Sequence, residues 1–365
     1  MRSASFRVLA SLAFVSVLVG CSDDETTTPP IVEDDAPITE VKFETPAFDV
    51  APGDEVQNCY FYKVSDLLGT AGLPVDEPLN LHHVRITQPN SGSHHMNIFR
   101  VRTIKGLDPA AGPDLGLNGM GECFKSANWA DWPLVANTQV AGEGNDFDWQ
   151  FPKGVANIIA PDEYLMVQTH YVNATTQETP SGTGEVDVSF GHIPASYVVE
   201  EMGTLFATRQ SIRICQSNPA PSYGGGCQVK SDHDINIIGA NGHFHSRGKQ
   251  FDMFTWDGSS ITEPPAEQRF YESTAWDEPP MLISPDLNVV VPPNGGVWYT
   301  CDFQWQQPTV EAGGCQALDD WDKTKYGTAD EDLDCCYTFG PVVEKNEHCN
   351  VFVYYYPKVD DIFCN

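Results

Sequence analysis

The sequence predicts an all-β protein, built as two tandem β-sandwich domains. Three observations carry that expectation. From Val41 onward, short alternating segments are broken by Gly, Pro, Asn and Asp, and no long helical period emerges. The chain carries 30 Gly, 27 Pro and 11% aromatic residues, the composition of a turn-rich β protein. Its 365 residues suffice for two cores at roughly 100–200 residues per domain.

Residues 1–20 read as a lipoprotein signal peptide and stand outside the fold. Arg2 and Arg7 form a basic start, and the apolar run Val8–Gly20 is 13 residues long. That is short of the ~20 residues a membrane-spanning helix needs. The run closes on Leu18-Val19-Gly20-Cys21, which resembles a bacterial lipoprotein signal with Cys21 as the lipidated residue. The expected location is the bacterial cell envelope, facing the periplasm or the cell surface and held by a lipid anchor only. Residues 21–40 follow as an acidic, Thr/Pro-rich tether with too little apolar surface to order itself.

The remaining chain divides near Ile193–Glu201, giving domains over 41–200 and 201–365. Expected strands include His94–Val101, Tyr164–Val172, Glu185–Phe190, Ile235–Ile238, Gln250–Trp256, Gly296–Trp305 and Asn350–Tyr356. The acidic stretch Asp319–Asp334 lacks the spacing of a calcium-binding loop and reads as a solvated loop. Charge excludes one class of partner. With 20 basic against 51 acidic residues the net charge is −31, which repels a nucleic-acid backbone.

Eleven cysteines less Cys21 leave ten, enough for up to five disulfides in an oxidising compartment. None forms a C-x-x-C pair, which argues against a thiolate zinc cluster. The adjacent Cys335 and Cys336 are expected to take separate partners.

The ten histidines carry the chemistry. His243 and His245 are two apart, so on a strand both rings point to one face and can reach one metal ion. His94 and His95 are adjacent and can serve one ion only where the strand twists or ends; His82-His83 poses the same problem. His170 follows the apolar run Tyr164–Val167. Imidazole clusters with few carboxylates suit Cu, Zn, Ni or Fe, and in an exported, disulfide-rich chain copper or zinc leads.

These segments resemble the copper type II, ascorbate-dependent monooxygenases, the family of peptidylglycine α-hydroxylating monooxygenase and dopamine β-hydroxylase. The matching residues are His94-His95-Met96, Phe151-Pro152-Lys153-Gly154-Val155 and Leu165-Met166-Val167-Gln168-Thr169-His170-Tyr171. They continue with His243-Phe244-His245-Ser246-Arg247-Gly248-Lys249, Cys301-Asp302-Phe303, and His348-Cys349-Asn350 through Pro357, with Cys364 beyond. They fall in the family's order over about residues 55–364. The resemblance implies two tandem jelly-roll-like antiparallel β-sandwich domains separated by a copper-lined solvent cleft, with two coppers per chain. His94, His95 and His170 would hold an electron-transfer copper; His243, His245 and His348 would hold the oxygen-activating, catalytic copper. The implied reaction inserts one oxygen atom of O₂ into a C–H bond of a small, apolar or aromatic substrate, with ascorbate or a similar reductant as co-substrate. The same resemblance implies disulfides Cys59–Cys123 and Cys301–Cys349. Cys364 would return to Cys215 or Cys227, and Cys315 would pair with Cys335 or Cys336. His82-His83 resembles a non-ligating pair of the dopamine hydroxylase branch, and His192 and His233 default to structural roles.

Two departures limit what transfers. His348 stands where the family has a Met ligand, with Met253 or Met281 as alternative soft donors. Asn241 and Phe352 stand where the peptide-amidating members carry an Arg and a Tyr. Losing that guanidinium and phenol removes the fork that fits a carboxylate, so peptide amidation is not expected. The alternative expectation is a non-catalytic copper-binding lipoprotein on the same scaffold.

Overall fold

A computed structural model describes residues 36–88, 93–101, 117–118, 133–138, 146–173, 183–277, 279–284, 286–310, 313–326, 334–340 and 343–364. All of them belong to one compact unit. The expected signal peptide, Cys21 and most of the tether lie outside the described residues. The first strand begins at Thr39, two residues inside the segment expected as tether. Val41 accounts for that early start, because its fully buried side chain anchors the strand in the core. No helix among the described residues is long and apolar enough to cross a membrane.

The fold is mostly β, in largely antiparallel sheets stacked as sandwiches, with the short strands Glu200–Glu201 and Asn346–Glu347 added in parallel. The first sandwich has one sheet ordered Thr39–Glu44, Asp187–His192, Leu79–Thr87, Val155–Ile159 and Glu200–Glu201, with Phe147–Gln150 also on Leu79–Thr87. Its second sheet runs Leu117–Asn118, Glu55–Lys63, Tyr164–Val172, Ser93–Val101 and Leu134–Thr138. Phe43 binds the two layers by packing on Tyr62 of the opposite sheet and on Phe190 of its own, at 4.8 and 5.3 Å between ring centroids.

In the second sandwich one sheet runs Gly203–Thr208, Asn350–Tyr356, Ile235–His243 and Leu282–Ile283, with Val289–Val291 on the Ile235–His243 strand. The facing sheet runs Arg269–Ser273, Gly248–Trp256, Gly296–Phe303, Ser222–Val229 and Ile362–Cys364. A smaller sheet of Arg213–Cys215, Cys336–Phe339 and Asn346–Glu347 completes this half.

Two hydrophobic clusters fill these layers, and the chain passes from one to the other between Met202 and Leu205. The clusters meet at the strand Asn350–Tyr356. Side chains on a strand alternate between faces. Val351, Val353 and Tyr355 enter the second core, while Phe352 and Tyr354 enter the first. Both faces of this strand are therefore buried, which explains why it reads as an unbroken apolar run. Each such large side chain contributes about 1.5–3 kcal/mol by leaving water. Trp149 of the first sandwich packs edge-on against Tyr354 at 4.7 Å between centroids.

The sequence expectation missed two helices. Val64–Thr70 is helical, and so is Gly314–Tyr326, which includes the first half of the acidic stretch expected as a loop. The second helix buries Leu318 in the second core and is tied down by Cys315–Cys335.

Four disulfides join described residues: Cys215–Cys336, Cys227–Cys364, Cys301–Cys349 and Cys315–Cys335. Cys335 and Cys336 take separate partners, and Cys364 returns to Cys227. Cys59 is disulfide-bonded, whereas Cys123, its expected partner, lies outside the described residues.

Cys301–Cys349 closes a loop of 48 residues. Replacing both residues by Ser is expected to lower unfolding stability by about 2–4 kcal/mol in denaturant titration. An unchanged midpoint and slope would show that the bridge does not constrain the unfolded chain.

Candidate metal centre

In the first sandwich, the strand Tyr164–Val172 pairs with Ser93–Val101 so that His170 lies opposite His95 and Tyr171 opposite Ser93. One residue, His94, is therefore extra at this point. This is a β-bulge, the local device that re-aims side chains where a flat strand would alternate them. The His95 and His170 rings sit 4.7 Å apart, nearly perpendicular. The side chain of His94 lies outside the described set.

The second sandwich assembles three imidazoles. His243 ends the strand Ile235–His243, and His245 follows in the next turn. His348 lies between Asn346–Glu347 and Asn350–Tyr356. One nitrogen from each ring falls within 4.8 Å of the others, and all three residues are buried. Ring centroids are 5.3 Å apart for His243–His245, 5.7 Å for His243–His348 and 4.5 Å for His245–His348. His348 is packed from the other side by Phe339 at 5.0 Å. Met253 is buried in the second core and Met281 packs against the first, whereas His348 is the third donor gathered with His243 and His245.

A buried carboxylate holds the loop that carries this group. Glu347, fully buried, accepts the backbone N–H groups of His245 at 2.8 Å and Arg247 at 2.9 Å. It also accepts the Arg247 guanidinium at 2.6 Å. The same guanidinium donates to the carbonyls of Asn346 and Val343 and lies 4.3 Å from the Tyr337 ring centroid. Burial raises the Glu347 carboxyl above its ordinary range, and the Arg247 charge with the two N–H donors opposes that shift.

The tautomer of His245 follows from its partner. Its Nδ1 lies 2.9 Å from the Asn346 carbonyl, which can only accept, so Nδ1 carries the proton and Nε2 the lone pair. A second hydrogen bond of this kind orients metal-ligating histidines. Burial holds the His245 pKa well below 6.5, and the neighbouring His348 and His243 reinforce the shift. Neutral imidazoles are the form that binds a metal. His348 receives a long contact of 3.4 Å at Nδ1 from Asn350, whose carbonyl accepts from Thr208 at 2.6 Å.

The two groups of histidines are in contact. His95 and His243 have ring centroids 5.2 Å apart, and His95, His170, His243, His245 and His348 are each no more than 9% exposed. The open solvent cleft expected between the two sets is closed at the histidines. Its closure follows from the apolar packing of Trp149 on Tyr354 and from a chain of hydrogen bonds beside the rings. Tyr354 donates to the Asn137 side-chain carbonyl at 2.5 Å, and the Asn137 amide donates to that of Asn241 at 2.8 Å.

The remaining histidines have other settings. His82 bonds the Val155 carbonyl at 2.7 Å, His83 pairs with Asp148 at 2.5 Å, His192 accepts the Asn80 backbone N–H, and His233 pairs with Asp232. Glu347, Asn137 and Tyr354 are supporting residues that motif reading missed. The one available signal for Glu347 was its place directly before His348, and the polar stretch Glu344-Lys345-Asn346 ahead of it made it read as a solvated residue.

Comparisons with known proteins add little. No family model matches the chain, and no curated protein matches it. Among solved structures, one from Parabacteroides distasonis is 7% identical, covering 86% of this chain and 88% of its own at a TM-score of 0.24. The Macrobrachium rosenbergii nodavirus structure is 8% identical, covering 98% of this chain and 99% of its own at 0.21. Likenesses this weak carry no argument about fold or function.

Two outcomes test the site. Glu347→Gln leaves the Arg247 charge buried without its partner and is expected to cost about 3–5 kcal/mol of stability in denaturant titration. The metal-free protein is expected to lose stability with acid. The unfolded chain protonates His245 near its ordinary value while the folded chain resists, so stability is retained at neutral pH and falls below about pH 6.5. Denaturation midpoints that stay level from about pH 7.5 to about pH 5.5 would contradict the buried, neutral setting of this ring.

Proposed function

We propose that this chain is a copper-dependent monooxygenase that hydroxylates a C–H bond of a small, apolar or aromatic molecule with O₂ and an ascorbate-like reductant. The observation that carries the reading is the buried group His243, His245 and His348, with one nitrogen each within 4.8 Å of the others. Three imidazole nitrogen donors with no carboxylate among them suit copper, and the oriented His245 Nε2 fits that role. The resemblance in motif order supplies the reaction class.

His243, His245 and His348 would hold the oxygen-activating copper, and His95 and His170, with His94, the second. Bound copper would supply one-electron redox chemistry and O₂ activation. The protein's part is to keep His245 neutral, to orient its ring through Asn346 and its loop through Glu347, and to exclude bulk water. Asn241 in place of a guanidinium supports an uncharged substrate rather than a peptide carboxylate. The four disulfides support an exported, oxidising location. The lipidated Cys21 and the envelope address belong to this same reading.

One observation favours a second reading, in which the chain binds copper without turnover. All five described rings are buried and mutually packed, leaving little of them open to an arriving molecule. Oxygen uptake separates the two. The copper-loaded protein is expected to consume O₂ with ascorbate and to yield a hydroxylated product from small apolar and aromatic test compounds. Stable copper binding with no uptake above free copper would leave only the second reading.

Two variants give further expected outcomes. His170→Ala should reduce bound copper from two to one per chain by elemental analysis; two tightly held ions would refute the first-sandwich assignment. His348→Met should raise the reduction potential of the second-sandwich copper, because a soft thioether favours Cu(I) over Cu(II). An unmoved potential would remove His348 from the ligand set.

A further inference from the structure

The resemblance implies two copper sites facing one another across solvent. The rings instead form a continuous series, with successive centroid distances of 4.7 Å for His170–His95, 5.2 Å for His95–His243 and 5.3 Å for His243–His245. His348 closes the series at 4.5 Å from His245. The step that joins the sandwiches falls within the 4.5–5.7 Å range of the steps inside the two groups.

We propose that His95, His170, His243, His245 and His348 form one contiguous metal centre, in which two copper ions lie close enough to be magnetically coupled. This rests on the copper-binding reading above.

The junction has its own fastening. His95 and Asn97 stand two apart on one strand, as do Asn241 and His243 on another, so each Asn shares a face with its His. Asn137 is the cross-strand partner of Asn97 and donates to Asn241 across the junction, one step along from the His95–His243 contact. Tyr354 completes the chain by donating to Asn137. Asn97 is in turn held by its amide donating to Gln168 at 2.9 Å, beside His170 on the next strand. Asn137, Asn241 and Tyr354 are fully buried, where water cannot replace a lost partner. This polar chain holds the two histidine groups together, and the three residues act as positioning residues for the centre. A cleft that opened and closed freely would have to break and remake buried amide hydrogen bonds each time.

The test is electron paramagnetic resonance on the full chain loaded with Cu(II), with copper counted by elemental analysis on the same sample. Coupling is expected to show as a spin count well below the copper count, with a half-field transition. Two ions per chain with a full spin count and no half-field signal would overturn the single-centre proposal while leaving copper binding intact. A chain that holds no copper would overturn both readings, and the elemental count tells these outcomes apart. In His95→Ala, one copper is expected to remain with its full, isolated signal; a half-field signal persisting in that variant would also overturn the proposal. Asn137→Ala should recover part of the missing spin intensity at unchanged copper content. No recovery in a variant whose circular dichroism matches the parent would remove the Asn137 chain from the role given to it.

Discussion

The site depends on one buried carboxylate. Glu347 is fully enclosed, and its oxygens take the Arg247 guanidinium and the backbone N–H groups of His245 and Arg247. Those contacts bind the loop after His243 to the segment that carries His348. A buried ion pair of this kind contributes little net stability, since desolvation offsets most of the attraction. Its value lies in geometry. With both hydrogen-bonding sides of the carboxylate used, the segments 245–247 and 346–348 have one register, and two imidazoles arrive at the same point.

The second constraint is the strand Asn350–Tyr356, which is buried on both faces. Its alternate side chains feed two different cores, so the sandwiches share a wall. Cys301–Cys349 secures one end of that strand immediately after His348. The same strand supplies Tyr354 to the Asn137–Asn241 chain. Folding of the second sandwich, placement of His348 and approach of the first sandwich are thereby consequences of one element.

Much of the fold was legible in the sequence. The strands Tyr164–Val172 and Asn350–Tyr356 coincide with the expected segments, and Gly296–Phe303 differs only at its end. The H-x-H spacing of His243 and His245 was visible as a local motif, although His245 lies beyond the strand end and is placed by its loop rather than by strand alternation. The acidic helix was not legible, because its helical state depends on Leu318 and on a disulfide to a residue 20 positions away. The contact between His95 and His243 was also hidden. It is set by Trp149, Asn137 and Tyr354, whose sequence separations no local pattern records. Pairing of His170 with His95 needed a bulge, and nothing in Ser93-His94-His95 announces one.

The central claim is that buried imidazoles, with no sulfur donor, gather copper at the junction of the two sandwiches. Copper K-edge X-ray absorption on the loaded chain tests it most directly. The expected result is a nitrogen shell with strong imidazole multiple scattering and no Cu–S shell, in both the oxidised and the ascorbate-reduced protein. A Cu–S distance in the reduced form, or a spectrum indistinguishable from copper free in buffer, would contradict it.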